Sequence, residues 1–197
     1  MRASTRREFI AGPAGKIECA VDAPSGAARG AALVAHPHPQ FGGTLDNKVV
    51  QTLARAFVEL GYEAWRPNFR GVGESEGSFD QGDGEVEDLY AVYEKINAAA
   101  VVLGGFSFGA AMQVRLSTRV KFERMVLVGV SAANFALPPV PAGTIVIHGE
   151  RDETVPLAAV LDWARPQDLP VVLVPGADHF FHRKLQVLRG IVQSSWK

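Results

Sequence analysis

Cysteine is scarce in this sequence. Cys19 is the one cysteine among 197 residues, so the chain can form no internal disulfide and has no cysteine cluster that could bind zinc. This scarcity fits a protein of a reducing compartment, and we expect the chain to be cytoplasmic. We interpret Cys19 as a small, partly buried strand residue.

An excess of charge of one sign is also missing. Lys and Arg together number 20 and Asp and Glu 21, which gives a formal net charge of −1 at pH 7. Proteins that bind nucleic acid or an anionic membrane surface usually carry a basic excess. We therefore expect neither kind of partner. The composition carries no information about the oligomeric state.

Long apolar runs are absent as well, because none approaches the roughly 18 residues of a membrane span. Residues 4–10, which include Arg6 and Arg7, resemble the start of a twin-arginine export signal. Such a signal continues with an uninterrupted apolar segment, whereas residues 12–16 predict a turn and acidic residues follow. We interpret this segment as a β-hairpin.

Apolar runs and helical periodicities alternate along the chain, with no repeat or linker that would mark a second domain. The predicted strands cover residues 6–10, 16–21, 31–35, 62–66, 101–105, 124–130, 144–148 and 171–175. The predicted helices cover residues 48–60, 84–96, 156–164 and 181–195, and another begins at Phe108. Fully apolar strands separated by helices are typically parallel and covered on both faces. We therefore predict one domain over residues 1–197, a three-layer α/β/α sandwich whose mostly parallel sheet has about eight strands and an N-terminal antiparallel hairpin.

The most informative motif is Gly105-Phe106-Ser107-Phe108-Gly109, which stands between an apolar run and a run of small residues. This context predicts a strand, a sharp turn and a helix. In such a turn the serine hydroxyl is lifted clear of the sheet, and glycine on either side avoids a clash. Ser107 is therefore a candidate nucleophile. The helix would also direct the backbone N–H of Phe108 toward an oxyanion formed there.

Two further candidates follow later strands, where ligand sites of such sheets lie. Asp152 comes after the strand at residues 144–148, and His179 after the last strand. The imidazole could accept the serine proton while the aspartate orients the ring. Asp152 could instead be a plain loop or helix-capping residue. Glu150 and Asp178 are alternative acids, although Asp178 adjoins His179 and consecutive side chains rarely reach each other well.

The segment His36-Pro37-His38-Pro39 follows another predicted buried strand. Proline has no N–H, so the backbone amide of His38 or of Gln40 is the candidate second donor to an oxyanion. Paired histidines also suggest a metal site, but no third ligand stands at ligand spacing nearby. We therefore predict no metal and no cofactor, and we interpret His36 as a structural, hydrogen-bonded residue.

The glycine-rich loop at residues 68–77 matches no phosphate-binding motif. We interpret it as a tight turn that supports its neighbours, with contact between Arg70 and a charged substrate group as the functional alternative. Phenylalanines beside the motifs could line an acyl pocket, although about half should belong to the core. These are Phe41, Phe106, Phe108, Phe135, Phe180 and Phe181. The predicted substrate-binding set is Gln40, Phe41, Arg70, Phe106 and Phe180.

Ser107, Asp152 and His179 occur in the chain order of the α/β-hydrolase fold. Together with residues 36–43 and 68–75, they make the chain resemble small, cap-less bacterial serine hydrolases of the dienelactone-hydrolase-like kind over nearly its whole length. The resemblance implies Ser107 as nucleophile, His179 as base and Asp152 as the orienting acid. It also implies an oxyanion hole made by the backbone N–H groups of Phe108 and His38. Dienelactone hydrolases proper use a cysteine nucleophile, so their substrate is not carried over.

A helical cap over the site would have to lie in residues 131–143, and this alanine- and proline-rich segment is short. We therefore expect an open, shallow site. The expected function is a serine hydrolase that cleaves carboxylic esters or thioesters of small or surface-presented substrates through an acyl-enzyme. The alternatives are a non-catalytic binding module on the same fold, or peptidase or perhydrolase chemistry on the same three residues.

Overall fold

A computed structural model describes residues 5–196, so Ser4 of the export-like segment lies outside the described residues. Its strands are β1 (Thr5–Gly12), β2 (Gly15–Asp22), β3 (Gly30–Ala35), β4 (Tyr62–Pro67), β5 (Val101–Phe106), β6 (Arg124–Val128), β7 (Ile145–Gly149) and β8 (Val171–Val174). Its helices are α1 (Lys48–Glu59), α2 (Asp83–Lys95), α3 (Phe108–Ser117), α4 (Leu157–Ala164) and α5 (Leu185–Ser194). Short 3-10 turns cover Pro39–Phe41 and Arg165–Gln167.

The eight strands form one sheet in the order β1-β2-β4-β3-β5-β6-β7-β8. The β1–β2 hairpin is antiparallel and β2 runs antiparallel to β4, whereas all other neighbours are parallel. Helices α1 and α5 cover one face, and α2, α3 and α4 cover the other. The predicted three-layer fold with an N-terminal hairpin is therefore confirmed. Cys19 is completely buried in this core, more deeply than we predicted.

Helix α1 shows how local sequence sets an element. The side chain of Asn47 accepts hydrogen bonds from the N–H groups of Val49 and Val50, at 2.9 and 3.4 Å, and so caps the first turn. The apolar stripe of the helix, which includes Leu53 and Phe57, is buried against the sheet. The helix ends before Gly61, whose φ of +90° is a conformation that glycine adopts readily.

The structure corrects three details in the second half of the chain. Helix α5 does not begin at residue 181, because Phe181 and Arg183 have φ of 53° and 60°, outside the helical region. Strand β6 ends before Gly129, which has φ of 53°. Strand β8 is not covered on both faces, because it is an edge strand whose Val172 and Leu173 are 38% and 42% exposed.

The connection from β6 to β7 does not form a cap over the carboxyl ends of the central strands, which we call the top of the sheet. Residues 129–144 contain turns and no helix, so the cap-less fold that we predicted is confirmed. The carboxyl ends of the central parallel strands therefore face outward without an inserted domain above them. No helix within residues 5–196 is long and apolar enough to traverse a membrane.

Candidate active site

The turn that carries Ser107 connects β5 to α3 and is strained. Ser107 has φ of 56° and ψ of −116°, and its N–H donates to the carbonyl of Val128 at 2.9 Å. A Cβ on Gly105 would stand 2.6 Å from the backbone nitrogen of Ala110, and one on Gly109 would overlap the carbonyl oxygen of His36. Backbone atoms cannot move aside as a side chain can, which explains glycine at both positions.

The side chains of Ser107, His179 and Asp152 form a chain of hydrogen bonds. Nε2 of His179 is 3.1 Å from Oγ of Ser107, and Nδ1 is 2.7 Å from Oδ2 of Asp152. An ionised carboxylate only accepts hydrogen bonds, so Nδ1 carries the proton and Nε2 is left to accept from the serine hydroxyl. All three side chains are buried. The structure thus brings together three residues far apart in sequence, in the arrangement that activates a serine hydroxyl.

Asp152 is held in place by the backbone that follows it. Its Oδ1 accepts hydrogen bonds from the N–H groups of Thr154 and Val155, at 3.0 and 2.7 Å. Burial by itself would raise the pKa of this carboxyl group, but the hydrogen bonds from His179 and Val155 outweigh it and lower the pKa below its ordinary value. Asp152 therefore remains a carboxylate and presents Oδ2 to His179.

The two alternative acids are bound elsewhere. Glu150 accepts a hydrogen bond from the N–H of Gly176 at 2.7 Å. Asp178 accepts from the N–H of His182 at 3.0 Å and lies 2.7 Å from Nδ1 of the same residue. Asp152 is thus the acid that contacts His179. It also caps the turn at residues 152–155, so it has both of the predicted roles.

Two residues near the site were not identified from the sequence. Nε2 of His148 is 3.0 Å from the carbonyl oxygen of Val155 and 3.7 Å from Oδ2 of Asp152. Burial lowers the pKa of His148, so its neutral ring packs behind the carboxylate. A Cβ on Gly129 would lie 3.4 Å from Nδ1 of His179. Both residues stand at the carboxyl end of an apolar strand, and this position is the sequence signal that could have indicated them.

Three backbone amides were predicted as candidates to bind an oxyanion: that of Phe108, and that of His38 or Gln40. Phe108 is the first residue of α3, so its N–H has no partner within the helix. The N–H of Gln40 is directed at Nδ1 of His38, at 3.3 Å. The N–H of His38 has no acceptor among residues 5–196. Of the two amides predicted in this segment, His38 therefore offers the better second donor.

Aromatic rings line the site on the side of His38. The ring centroid of His38 is 4.7 Å from that of Phe41, 4.8 Å from Phe79 and 5.0 Å from Phe108. Phe41 is 84% exposed, which makes it accessible to a ligand. The ring of Phe108 is buried, and Phe135 packs against it at 5.7 Å. This side of the site is therefore a partly open aromatic wall.

On the opposite side, Phe106 and Phe180 flank His179. Their ring centroids lie 4.8 and 5.1 Å from the imidazole. Phe106 has no exposed surface, so its predicted place in the substrate-binding set is wrong. Its ring instead supports the imidazole of His179. Phe180 is 45% exposed and remains accessible. Of the six phenylalanines considered, three are fully buried, as expected for about half of them: Phe106, Phe108 and Phe181.

Arg70 does not present its charge to the site. Its Nε and Nη2 atoms each donate to the carboxylate of Asp88 on α2, at 2.8 Å. The partly buried pair ties the glycine-rich loop to α2, which corrects the suggested contact of Arg70 with substrate. Gln40, by contrast, is exposed beside His38.

His36 has a structural role, as we predicted. Its Nδ1 lies 2.6 Å from the carbonyl oxygen of Pro37, and its Nε2 accepts from the N–H of Phe69 at 3.0 Å. Burial lowers the pKa of His36 to about 4, so the ring is neutral. Both ring nitrogens are occupied by backbone groups, which leaves none to coordinate a metal ion.

Known proteins resemble this chain in sequence and in structure. The chain matches no protein-family model. The uncharacterized protein RP471 of Rickettsia prowazekii is 32% identical over 90% of this chain and 83% of its own length. XC6422 of Xanthomonas campestris, an α/β serine hydrolase without a lid, is 39% identical, with a TM-score of 0.90 over 98% of this chain and 93% of that one.

A serine hydrolase homologue from Coxiella burnetii is also similar to this chain in sequence and in structure. It is 36% identical, with a TM-score of 0.88 over 98% of this chain and 97% of that chain. These alignments span nearly the whole of both chains in each structural comparison. The relatives support a hydrolase, in keeping with the hydrogen-bonded serine, histidine and aspartate. The chain belongs to the α/β-hydrolase family, among the serine hydrolases that have no lid.

Proposed function

We propose that the protein hydrolyses carboxylic esters or thioesters through an acyl-enzyme formed on Ser107. The observation that carries this proposal is the hydrogen-bonded chain from Ser107 through His179 to Asp152, on a strained turn at the carboxyl ends of the central strands. Each of its groups has a defined role in acyl transfer. The ordered geometry also favours catalysis over the alternative of a binding module on the same fold.

The reaction begins with Ser107. Its Oγ attacks the substrate carbonyl while Nε2 of His179 accepts the hydroxyl proton. Negative charge moves to the carbonyl oxygen, where the N–H groups of Phe108 and His38 stabilise it by hydrogen bonding. Asp152 stabilises the protonated imidazole and keeps it in the required orientation. His179 then donates the proton to the departing alcohol or thiol, and Ser107 retains the acyl group.

A water molecule then hydrolyses the acyl-enzyme, with His179 acting first as base and then as acid. His179 accepts a proton from a water molecule as that molecule attacks the acyl carbonyl. The second tetrahedral intermediate collapses by breaking the bond to Oγ, and the imidazole returns the proton to Ser107. A carboxylic acid is released. No step requires a group beyond those that the side chains and backbone supply.

The open top of the sheet supports small or surface-presented substrates. Residues 129–144 form no cap, and the exposed rings of Phe41 and Phe180 stand on either side of the site. A deeply sequestered acyl chain would need an enclosing wall that these residues do not form. We therefore propose a small ester or thioester that enters directly from solvent.

Hydrolysis of 4-nitrophenyl acetate and of a matched acetyl thioester tests this proposal. We expect Ser107→Ala to lower kcat by about 10⁴-fold or more, because the nucleophile is removed. Ser78→Ala is the control, since Ser78 is exposed directly after the glycine-rich loop, and it should retain full activity. Equal rates for Ser107→Ala and wild type, or no hydrolysis by wild type, would contradict the proposal.

A further inference from the structure

A cavity of about 450 Å³ lies beside the proposed active site, and we call it the Phe180 cavity. Its walls come from the start of α1 and from the segment that leads into α5. Leu185 and the exposed ring of Phe180 make its surface apolar, and Lys48 and Arg183 also line it. None of these residues has a role in the chemistry of acyl transfer described above.

The Phe180 cavity lies next to His179, the residue that we propose protonates the leaving group. The ring of Phe180 lies 5.1 Å from that of His179 and 5.9 Å from that of Phe106. His179 delivers the proton to the departing alcohol or thiol, so the leaving group must lie on the histidine side. The Phe180 cavity is thus placed to receive the leaving group.

The charges around the cavity are unbalanced. Lys48 and Arg183 are exposed, and neither forms an ion pair with any of residues 5–196. The remaining basic residue that lines the cavity, His182, lies 2.7 Å from the carboxylate of Asp178. The amino-terminal end of the α1 dipole adds positive potential at the same place. Two cationic side chains therefore stand beside an apolar surface.

The backbone that carries Arg183 is held in an uncommon conformation. Phe181 and Arg183 both have positive φ, and such residues persist only where the surrounding structure determines them. Phe181 is fully buried in the core, and the N–H of Lys184 donates to its carbonyl at 2.8 Å. This turn delays the start of α5 and leaves Arg183 at the cavity rather than on a helix.

We propose that the Phe180 cavity is a leaving-group subsite that selects alcohols or thiols carrying a negative charge, which Lys48 and Arg183 attract. The subsite rests on the proposed function, because it assigns a specificity to the same reaction. Apolar contact with Phe180 and Leu185 accommodates the carbon skeleton between the ester oxygen and the charged group. A neutral leaving group would gain only that apolar contact.

Two esters that differ in the charge of the leaving group test this subsite. They are 4-nitrophenyl acetate and 3-carboxy-4-nitrophenyl acetate, which share the acyl group and a nitrophenolate chromophore. The measured quantity is the ratio of kcat/KM for the carboxylated ester to kcat/KM for the neutral one. We expect this ratio to exceed one for wild type. It should fall about three-fold in Lys48→Gln or Arg183→Gln and about ten-fold in the double variant.

A matched variant and a second pair of esters act as controls. Arg55 lies two turns further along α1, is exposed, and has no ion-pair partner among the described residues, so Arg55→Gln should keep the wild-type ratio. With 4-nitrophenyl hydrogen succinate and 4-nitrophenyl butyrate the charge lies on the acyl side. For this pair we expect the ratio to be the same in the double variant and in wild type.

The outcomes separate the subsite from the proposed function. An equal ratio for the acetate pair in wild type and the double variant would overturn the subsite while hydrolysis itself stands. A loss of preference for the succinate instead would show that these cations contact the acyl group, and it would overturn the leaving-group assignment. Absence of hydrolysis of both acetates by wild type would instead count against the proposed function.

Discussion

Asp152 illustrates how a single side chain is specified by several contacts at once. One carboxylate oxygen is bound by the backbone N–H groups of Thr154 and Val155, and the other by the imidazole of His179. His148 closes the space behind it. A carboxylate fixed in this way can orient His179 and stabilise its protonated form without moving during the reaction.

Replacing this carboxylate tests its proposed role. We expect Asp152→Asn to lower kcat by about 10³- to 10⁴-fold, because an amide neither stabilises the imidazolium nor enforces the tautomer that accepts the serine proton. Asp178→Asn is the matched control, since Asp178 binds His182 instead. We expect it to retain most of the activity with 4-nitrophenyl acetate. The reverse pattern would show that Asp178 is the orienting acid.

The residues that contact one another in the site were predictable where each carries a local signal. Ser107 stands in a recognisable motif, and Asp152 and His179 each follow an apolar strand. The pairing of Arg70 with Asp88 and the burial of Phe106 have no such signal. Both depend on which elements pack together in three dimensions, and local sequence does not encode that packing.

At the scale of elements, the close approach of α3 to the sheet depends on glycine. A Cβ on Gly109 would overlap the carbonyl oxygens of Ala35 and His36 at the end of β3. The first turn of α3 would have to move away from β3 to relieve the overlap. That movement would displace the N–H of Phe108, which we propose as an oxyanion donor.

A pair of glycine variants tests this packing. Gly109→Ala should destabilise the protein by about 1 to 3 kcal/mol and should also reduce kcat, since it strains the packing beside the nucleophile. Gly190 lies within α5, where a Cβ would have no atom within 4 Å. Gly190→Ala should instead stabilise by about 0.5 to 1 kcal/mol, because alanine has the higher helix propensity.

Urea unfolding and ester hydrolysis measure both effects. We expect opposite signs for the changes in free energy of unfolding and a loss of activity for the Gly109 variant alone. Equal stability of the two variants would contradict the close packing of α3 on β3.

Elements whose ends depend on local chemistry were predicted well, and those that depend on tertiary contacts were not. Helix α1 is capped by its own neighbour Asn47, and its predicted bounds differ from the observed ones by one residue at the carboxyl end. The apolar pattern of residues 181–195 predicted a helix throughout. Burial of Phe181 in the core holds the start of that segment in a left-handed turn.

For the whole molecule, the sequence indicates the class of fold but not the order of its strands. Alternation of strands and helices predicts a parallel sheet, whereas the neighbours of each strand follow from how the helices pack on either face. The exposed apolar residues of β8 are a consequence of its place at the edge of the sheet. An edge position has no signature within a four-residue apolar strand.

The stability of the whole protein should depend on pH through His36. Its pKa is lowered from 6.5 to about 4 in the folded state, so the unfolded chain binds a proton more readily between these values. This contribution to stability is complete above pH 6.5 and is lost as the pH falls toward 4. Its magnitude is about 3 kcal/mol.

Comparison with His36→Gln isolates this contribution, because glutamine does not titrate. Free energies of unfolding measured in urea between about pH 7 and pH 4 should fall more steeply for wild type than for the variant. The difference in free energy of unfolding between wild type and His36→Gln should change by about 3 kcal/mol between pH 7 and pH 4. Parallel pH profiles would contradict the burial of a neutral imidazole at this position.

We propose that Ser107 is a nucleophile activated by His179. Intact-mass spectrometry after reaction with a fluorophosphonate, followed by peptide mapping, tests it most directly, because the reagent traps activated serine hydroxyls. We expect one adduct per chain, on Ser107, none in Ser107→Ala, and strongly slowed labelling in His179→Gln. An unlabelled wild-type protein, or an adduct on another serine that persists in Ser107→Ala, would contradict it.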